Sequence, residues 1–266
     1  MTHNERIEKI ASNIVADVVF KDENEFKKYL EDHPDYREDT VFIVNGVPRK
    51  APVKQEVKNQ YTPEQITLHR LAHSPNAKKR LDSALNSNTL PATLHKLSSD
   101  SEDEIREAVS LNKNTHYKTL SMLSRDENED VRSGVASNEN THPKTLHNMT
   151  KDKSERIRSN IANNRTTNPK TLELLSEDES DWVRRFVAGN PNITSETLKK
   201  MATDVDSQVK RNIVFNDKVT PEILEILSND VDGDVSAPAK KILMQINETN
   251  AENSRDEYDP YGDNKI

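Results

Sequence analysis

Hydrophobic and polar positions recur along the middle of this chain with a period of 26 residues. Leucine occupies the same position in every repeat, and leucine or methionine occupies the position three residues later. Residues that share one position of the repeat are called a column. The first column is Leu68, Leu94, Leu120, Leu146, Leu172, Leu198 and Leu224. Asparagine from Asn86 to Asn216 and aspartate from Asp100 to Asp230 follow the same period. Such a period predicts a solenoid, in which each unit buries its apolar face only against its neighbours.

Each unit contains two apolar patterns typical of short helices. In one unit Val131, Val135 and Ala136 have the i, i+4, i+5 spacing of a helical face, which predicts a first helix, helix A. We expect it to end near the repeated asparagine, a residue that tolerates the left-handed conformation. Proline then recurs at the expected start of a second helix, helix B, at Pro91, Pro143, Pro169 and Pro221. Because 26 residues are few for two helices, one of them could be a single turn or partly 3₁₀.

The two flanks do not follow the repeat. Residues 5–19 and 23–32 have the patterns of two helices, and Asn45-Gly46 after a β-branched run predicts a hairpin with a type I′ turn. Pro238 should break the pattern before a last helix that caps the array. We therefore predict an all-α, right-handed solenoid of about six to seven repeats with a small N-terminal α+β appendage. The predicted domains are an N-terminal segment 1–60, a solenoid with its cap 61–246, and an acidic disordered tail 247–266.

Composition narrows the possible functions. Hydrophobic and charged residues each make up 32% of the chain, which is lean for one compact core but sufficient for the thin core of a solenoid. The sequence has no cysteine, which excludes disulfides, thiolate metal sites and cysteine nucleophiles. With no apolar run of membrane-spanning length and no signal-peptide pattern at the N-terminus, we expect a cytoplasmic protein. The net charge of −8 disfavours non-specific nucleic-acid binding.

The repeat resembles the leucine-rich repeat variant family. The resemblance rests on a Val-Arg-x-x-Val-Ala-x-Asn string followed by Pro-x-Thr-Leu-x-x-Leu-x-x-Asp, and it spans roughly residues 63–246. One unit carries it at Val131, Arg132, Val135, Ala136, Asn138, Pro143, Leu146, Met149 and Asp152. The resemblance implies a right-handed superhelix of alternating α and 3₁₀ helices, related in shape to HEAT-like arrays. The family's unit is usually slightly shorter, and its cysteine-bound iron–sulfur module cannot form here.

A column of basic residues shares one position of the repeat. It consists of Arg80, Arg106, Arg132, Arg158, Arg184 and Lys210. In a functional interpretation the column follows the phosphates of a nucleic acid or the charges of an acidic partner. In the structural interpretation, which we favour, the column pairs with the aspartate six residues earlier and bonds loop carbonyls and carboxylates of neighbouring units. The repeated asparagines are likewise expected to bond the backbone at helix ends.

Two aromatic residues depart from the repeat. Trp182 and Phe186 stand where other units have polar or small residues, and their spacing of four places them on one face of helix A. Arg185, Arg156 and Arg211 should lie near them if the units stack evenly. Exposed tryptophan with arginine is the composition of an interface hot spot. The alternative is a local variation in packing, and the sequence does not decide between the two.

Catalytic signals are absent from the sequence. His69 and His73 have the i, i+4 spacing of a metal-binding pair but lack a third ligand, and no phosphate loop or hydrolase motif occurs. We predict no enzymatic activity, no cofactor and no metal. The predicted function is a scaffold that binds another protein. The alternatives are a nucleic-acid binder that uses Arg106, Arg132, Arg158, Arg184 and Lys210, and a structural component of a larger assembly.

Overall fold

The computed structural model describes residues 18–20, 24–25, 27–28, 41–44, 47–50 and 61–257. The chain divides into two compact parts, Met1–Thr67 and Leu68–Ile266.

The described residues of the first part include a three-stranded sheet. Residues 24–25 and 27–28 are helical, in agreement with the helix predicted for residues 23–32. Strands β2 (Val41–Val44) and β3 (Val47–Lys50) pair antiparallel with Val44 opposite Val47, which confirms the predicted hairpin. Strand β1 (Val18–Phe20) pairs parallel with β2. The helix predicted for residues 5–19 is therefore wrong at residues 18 and 19, where β-branched valines suit a strand. The rest of that prediction, and the turn at residues 45–46, lie outside the described residues.

Fourteen helices follow between residues 63 and 257. The helices B are α1 (Pro63–Leu71), α3 (Pro91–Leu97), α5 (Tyr117–Leu123), α7 (Pro143–Met149), α9 (Pro169–Leu175), α11 (Ser195–Met201) and α13 (Pro221–Ser228). The helices A are α2 (Ala77–Leu85), α4 (Asp103–Leu111), α6 (Glu129–Ser137), α8 (Glu155–Asn163), α10 (Asp181–Gly189), α12 (Ser207–Val214) and α14 (Gly233–Glu257). Consecutive helices A pack directly against each other, and the helices B pack against the helices A beside them. This arrangement confirms the predicted helical solenoid.

The predicted core columns are buried. Leu94, Leu120, Leu146, Leu172, Leu198 and Leu224 are fully inaccessible to solvent. On the helices A, residues such as Val135 and Ile161 are equally inaccessible, so both helices of a unit contribute to one continuous core. Because every unit repeats the same contacts, the core extends along the array as a strip.

Local chemistry explains where the helices B begin and end. Asn168 and Thr220 accept a backbone N–H through their side chains ahead of Pro169 and Pro221, as the sequence predicts. Helix B is an α-helix of about two turns rather than a 3₁₀ helix, so the alternation implied by the resemblance is wrong in this respect. Tighter i→i−3 bonds occur at its two ends, such as Thr145 N–H to the His142 carbonyl at 2.7 Å and Asp126 N–H to the Leu123 carbonyl at 3.0 Å.

The last helix is longer than predicted. Helix α14 begins at Gly233 and continues through Pro238, so the proline does not separate it from the repeat. Val235 and Ala239 are fully buried against the preceding helices, which confirms that this helix caps the array. It ends at Glu257, so the disorder predicted from residue 247 is wrong for residues 247–257. Residues 258–266 lie outside the described residues.

Candidate partner-binding site

Helix α10 positions the two aromatic residues on its solvent side. Ser180 caps the helix by accepting the N–H of Val183, and Val183, Val187 and Ala188 turn inward to the core. Trp182 therefore lies on the solvent side of the helix, and Phe186, one turn later, lies at the edge of the core. Half of the Trp182 side chain is exposed, whereas Phe186 is partly buried and packs against the core. The expectation that both rings reach the surface thus holds more fully for Trp182.

The rings are held in a fixed arrangement. The Phe186 and Trp182 ring centroids are 5.8 Å apart with an interplanar angle of 84°, an edge-to-face pair. The Arg185 Cζ atom lies 5.3 Å from the centroid of the Trp182 ring, within cation–π range. Ion pairs with Asp206 on the next unit (2.7 Å) and with Asp181 (2.5 Å) anchor the same guanidinium. The Trp182 ring therefore contacts both the Phe186 ring and the anchored Arg185 side chain.

Neighbouring helices A add charge and a third aromatic ring to this face. Arg156 on α8 is half exposed and forms surface ion pairs with Asp130 and Glu129. Arg211 on α12 is exposed, and no hydrogen bond or ion pair engages it within residues 61–257, although it feels the charge of Asp232. Phe215, which immediately follows α12, is 60% exposed. We call Trp182, Phe186, Phe215, Arg156, Arg185 and Arg211 the Trp182 patch.

Phe186 replaces a hydrogen bond that other units make between their helices A. Asn160 donates its side-chain N–H to the Ser133 hydroxyl at 2.9 Å, and Asn212 donates to the Arg185 carbonyl at 2.9 Å. Phe186 stands at the equivalent position opposite Ser159 and has no group to donate. The Ser159 hydroxyl is the one buried side-chain polar atom among the described residues that lacks a partner. A buried hydroxyl left unsatisfied costs about 1–3 kcal/mol, which offsets part of the stabilisation that Phe186 gains by packing against the core.

The basic column is structural in its geometry. Arg132 donates from Nε and Nη2 to both carboxylate oxygens of Asp152, at 2.8 and 3.3 Å, and from Nη1 to the carbonyls of Asp126 and Glu127. Arg106, Arg158 and Arg184 repeat the pattern, and Lys210 bonds Asp230 at 2.6 Å. Four of the five guanidinium N–H donors of Arg132 are therefore already engaged.

The pairing differs in one detail from the prediction. The aspartate six residues before each arginine offers its backbone carbonyl, while the carboxylate comes from the aspartate of the following unit, 20 residues later. Burial by itself would raise the pKa of Asp152, but hydrogen bonds from Arg132 and from the Ser154 N–H outweigh it and lower that pKa. Each bond set thus joins one unit to the next, and these basic residues present little free surface to phosphates.

The asparagine column forms a second set of bonds between units. Asn164 donates to the carbonyls of Ala136 and Asn138 in the unit before, at 2.8 and 3.1 Å, and accepts the Thr166 N–H. Asn112, Asn138, Asn190 and Asn216 make the equivalent bonds. These bonds confirm the expected role in bonding the backbone. Helix α8 ends at Asn164 as expected, and the backbone there is extended, with φ near −68°, so the left-handed conformation that asparagine tolerates is not used.

The histidines also form structural contacts. His69 Nδ1 pairs with the Thr93 hydroxyl at 3.0 Å, and His73 Nδ1 lies 2.8 Å from the His69 carbonyl. His95 and His147 repeat the histidine–threonine contact one and three units later. Within the described part of the chain no group of three or more histidine, cysteine or acidic side chains could hold a metal ion. None of the helices described there is long and apolar enough to cross a membrane.

Two residues next to the predicted site were not predicted from the sequence: the exposed Phe215 and the buried Ser159. Phe215 is exposed on the same face as Trp182, although it occupies the position of Gly189 in the unit before, a departure visible in the repeat. Ser159 is unremarkable in sequence, because a serine also occupies the equivalent position 133. Only the neighbour opposite it, 27 residues later, distinguishes the two.

Comparison with known proteins supports the fold. No family model and no curated protein matches the sequence. A solved leucine-rich repeat variant with a novel repetitive structural motif aligns over 73% of this chain and 79% of its own, with 24% identity and a TM-score of 0.53. A designed armadillo repeat protein covers 68% of this chain and 98% of its own, with 14% identity and a TM-score of 0.32. The first similarity shows a shared helical-repeat fold, whereas the second structure superposes too poorly to support an inference.

Proposed function

We propose that this chain is a non-enzymatic scaffold of the leucine-rich repeat variant type that binds another protein through the Trp182 patch. The observation that carries the proposal is Trp182 itself, half exposed and ordered on the solvent side of a helix A. Burying a large aromatic ring at an interface contributes more binding energy than most other contacts, and arginine is the other residue enriched at such centres.

Two features of the patch favour binding over a packing variation. First, the Trp182 ring is held by Phe186 and Arg185 before binding, so little side-chain entropy is lost when a partner covers it. Second, Phe186 leaves the Ser159 hydroxyl without a partner, and a residue that serves only the fold would be expected to satisfy it. The local cost to stability is consistent with selection for a surface function.

Nucleic-acid binding is the weaker alternative. Its five residues, Arg106, Arg132, Arg158, Arg184 and Lys210, are mostly buried and paired with aspartates of the following unit. Extracting them to meet phosphates would sacrifice bonds that join the units. A role in a larger assembly, with residues 1–60 as the attachment domain, is compatible with the scaffold proposal and adds a second surface to it.

Capture from a lysate of the native host, followed by mass spectrometry and titration of the identified protein, tests the proposal. Trp182→Gln introduces the residue that the next unit carries at this position, Gln208, and leaves Phe186 on the core. We expect it to weaken partner binding by about tenfold or more, with little change in thermal stability, because Trp182 is half exposed.

The matched control is Leu174→Gln. Leu174 on α9 has a similar exposure, 47%, but lies on a helix B outside the patch. Binding should survive this substitution. Equal loss in both variants, or full binding by Trp182→Gln, would mean that the partner uses another surface.

A further inference from the structure

The helices B of three consecutive units carry no acidic side chain. Residues 90–99, 116–125 and 142–151, which contain α3, α5 and α7, include no aspartate or glutamate, whereas the equivalent stretches of the next three units include one or two acids each. The lysines and arginines of the three stretches are all exposed and are Lys96, Lys118, Arg125, Lys144 and Lys151. This part of the array is therefore basic, although the chain as a whole has a net charge of −8.

These five basic side chains have no partner of opposite charge. Within residues 61–257 they form no ion pair and no side-chain hydrogen bond. On α11, by contrast, Lys199 and Lys200 pair with Glu222 and Glu173 of the neighbouring helices B, at 2.6 and 2.9 Å. Lysines on this layer thus pair across units where acids are within reach, whereas those of α3, α5 and α7 remain available to a ligand.

The acids that border the three stretches have other partners. The aspartates that follow the stretches are bound by the basic column, as Asp126 is by Arg106 at 2.7 Å. Glu127, the next residue, also interacts with the charge of Arg106. Glu139, in the loop before α7, has Lys113 at the same position of the preceding unit. These acids therefore do not neutralise the five basic side chains by pairing with them.

The fold does not require lysine at these positions. Lys118 and Lys144 occupy the column that holds Glu196 on α11 and Glu222 on α13. The helices B that carry glutamate have the same structure as those that carry lysine. The charge of this column is therefore a property of the surface and not of the packing.

An exposed tyrosine joins the starts of α5 and α7. Tyr117 stands where most other helices B begin with proline, and it is 44% exposed. Its ring centroid lies 4.3 Å from that of His116 and 5.9 Å from that of His142. These histidines accept the N–H groups of Lys118 and Lys144 through Nδ1, at 3.3 and 3.2 Å. Ring contacts thus connect the two helix ends that carry the lysines.

An apolar side chain lies among the basic ones. Met122 is 52% exposed and is four residues after Lys118 and three before Arg125, so the three share one face of α5. The same column holds Lys96 on α3 and Asn148 on α7, so the methionine is also not required by the repeat. We call Lys96, Lys118, Arg125, Lys144, Lys151 and Met122 the basic face.

We propose that the basic face binds an acidic segment of another protein that also carries apolar side chains. Carboxylates complement the five free cations, and an apolar side chain of the segment covers Met122. Units whose helices pack directly follow one another at about 8–10 Å, so α3 to α7 span about 20 Å, which about six residues of an extended segment cross. The basic face contains no residue of the Trp182 patch, so this inference does not rest on binding there.

A nucleic acid fits the basic face less well. Its phosphate backbone offers no apolar group to Met122. A longer strand would also continue onto α9, α11 and α13, where Glu177, Glu196 and Glu222 are exposed and repel phosphates. The bounded length of the basic stretch therefore favours a short acidic segment.

Three labelled probes test the proposal with the full chain by fluorescence anisotropy. They are peptides of about twelve residues that repeat Glu-Glu-Leu or Glu-Glu-Ser, and a uridine oligonucleotide of about twelve nucleotides. We expect the Glu-Glu-Leu peptide to bind with a Kd of about 10–100 μM, about fivefold or more tightly than either other probe. High salt should weaken its binding, because the charges are exposed.

Charge reversal locates the contact. Lys118→Glu/Lys144→Glu introduces the residue that α11 and α13 carry at this position, so the melting temperature should change little. The Kd of the Glu-Glu-Leu peptide should rise about tenfold or more, because two attractive charges become repulsive. The matched control, Lys240→Glu/Lys241→Glu, changes the net charge equally at two exposed lysines of α14 and should leave the Kd within about twofold.

Met122→Asn introduces the residue of Asn148 and should remove the preference for leucine over serine in the peptide. Trp182→Gln should leave peptide binding unchanged, since Trp182 is on a helix A. No binding at about 1 mM chain, equal loss in the two charge variants, no preference for leucine, or tightest binding to the oligonucleotide would each overturn the proposal.

Discussion

Ser133 and Ser159 occupy the same position in two successive units but meet different neighbours. The Ser133 hydroxyl accepts a hydrogen bond from Asn160, whereas Phe186 leaves the Ser159 hydroxyl without one. Both serines are more than 90% buried, so solvent does not compensate. At the scale of single residues, a departure from the repeat therefore changes the energy of the residue opposite it in the previous unit.

The two serines provide a matched pair of substitutions. Ser159→Ala removes a hydroxyl that has no partner and should leave the free energy of unfolding unchanged or raise it. Ser133→Ala removes the 2.9 Å acceptor of the Asn160 amide and leaves it only the longer bond to the Ser133 carbonyl at 3.4 Å. This substitution should lower the free energy of unfolding by about 1 kcal/mol relative to Ser159→Ala. Urea unfolding of the three proteins measures the difference. Equal effects would show that Phe186 has not displaced a hydrogen bond.

At the scale of helices, the loops between them join the units. Asn164 donates its two amide protons to two carbonyls of the unit before. One carbonyl belongs to Ala136, near the end of a helix A, and the other to Asn138, the asparagine that follows this helix. Leucine columns supply the apolar contacts, but these contacts alone would permit adjacent units to slide. The asparagine bonds are directional and buried, so they fix the spacing of one helix A against the next.

Asn164→Ala tests this role at the end of helix α8. It leaves the Ala136 carbonyl without a donor and the Thr166 N–H without an acceptor, whereas the Asn138 carbonyl keeps the Thr141 N–H. We therefore expect a loss of about 2–3 kcal/mol in the free energy of unfolding. Asn163→Ala is the control, because Asn163 is exposed at the adjacent position. Denaturant melts should show the loss for Asn164→Ala alone; similar stability of the two variants would contradict a structural role for the column.

At the scale of the whole array, arginine–aspartate pairs recur from Arg80–Asp100 to Arg184–Asp204, and Lys210–Asp230 continues the series. Their side chains are between 7% and 17% exposed, so they are screened less than ordinary surface pairs. The pKa values of Asp100, Asp126 and Asp152 are lowered in the folded chain. These three aspartates therefore couple the stability of the array to pH.

Acid should destabilise the array because of these lowered pKa values. In the unfolded chain aspartate titrates near pH 3.9, so the stabilisation from Asp100, Asp126 and Asp152 is complete above this value and is lost as pH falls through their lower folded pKa. Asp152→Asn should cost about 2 kcal/mol at neutral pH, and its difference from the original chain should shrink below about pH 4. Melting temperatures of both proteins between neutral pH and about pH 3 measure this. A difference that stays constant with pH would show that the Asp152 charge contributes nothing.

The sequence determined the solenoid because its period is long, unbroken and carried by several residue types at once. The positions of helices A and B, the buried leucines such as Leu146 and the proline starts such as Pro143 follow from local spacing, which the chain specifies by itself. The exposure of Trp182 could also be anticipated, since sibling units place polar residues there.

Which groups meet across units follows from the packing of one unit on the next. The Arg132 carboxylate partner is Asp152 rather than Asp126, and no local pattern distinguishes two aspartates of the same column. The unsatisfied Ser159 hydroxyl, the exposure of Phe215 and the length of α14 beyond residue 247 depend likewise on contacts between units or on the end of the array. Repetition fixes what each unit contains, whereas the rotation and spacing of one unit on the next determine which side chains come within hydrogen-bonding distance.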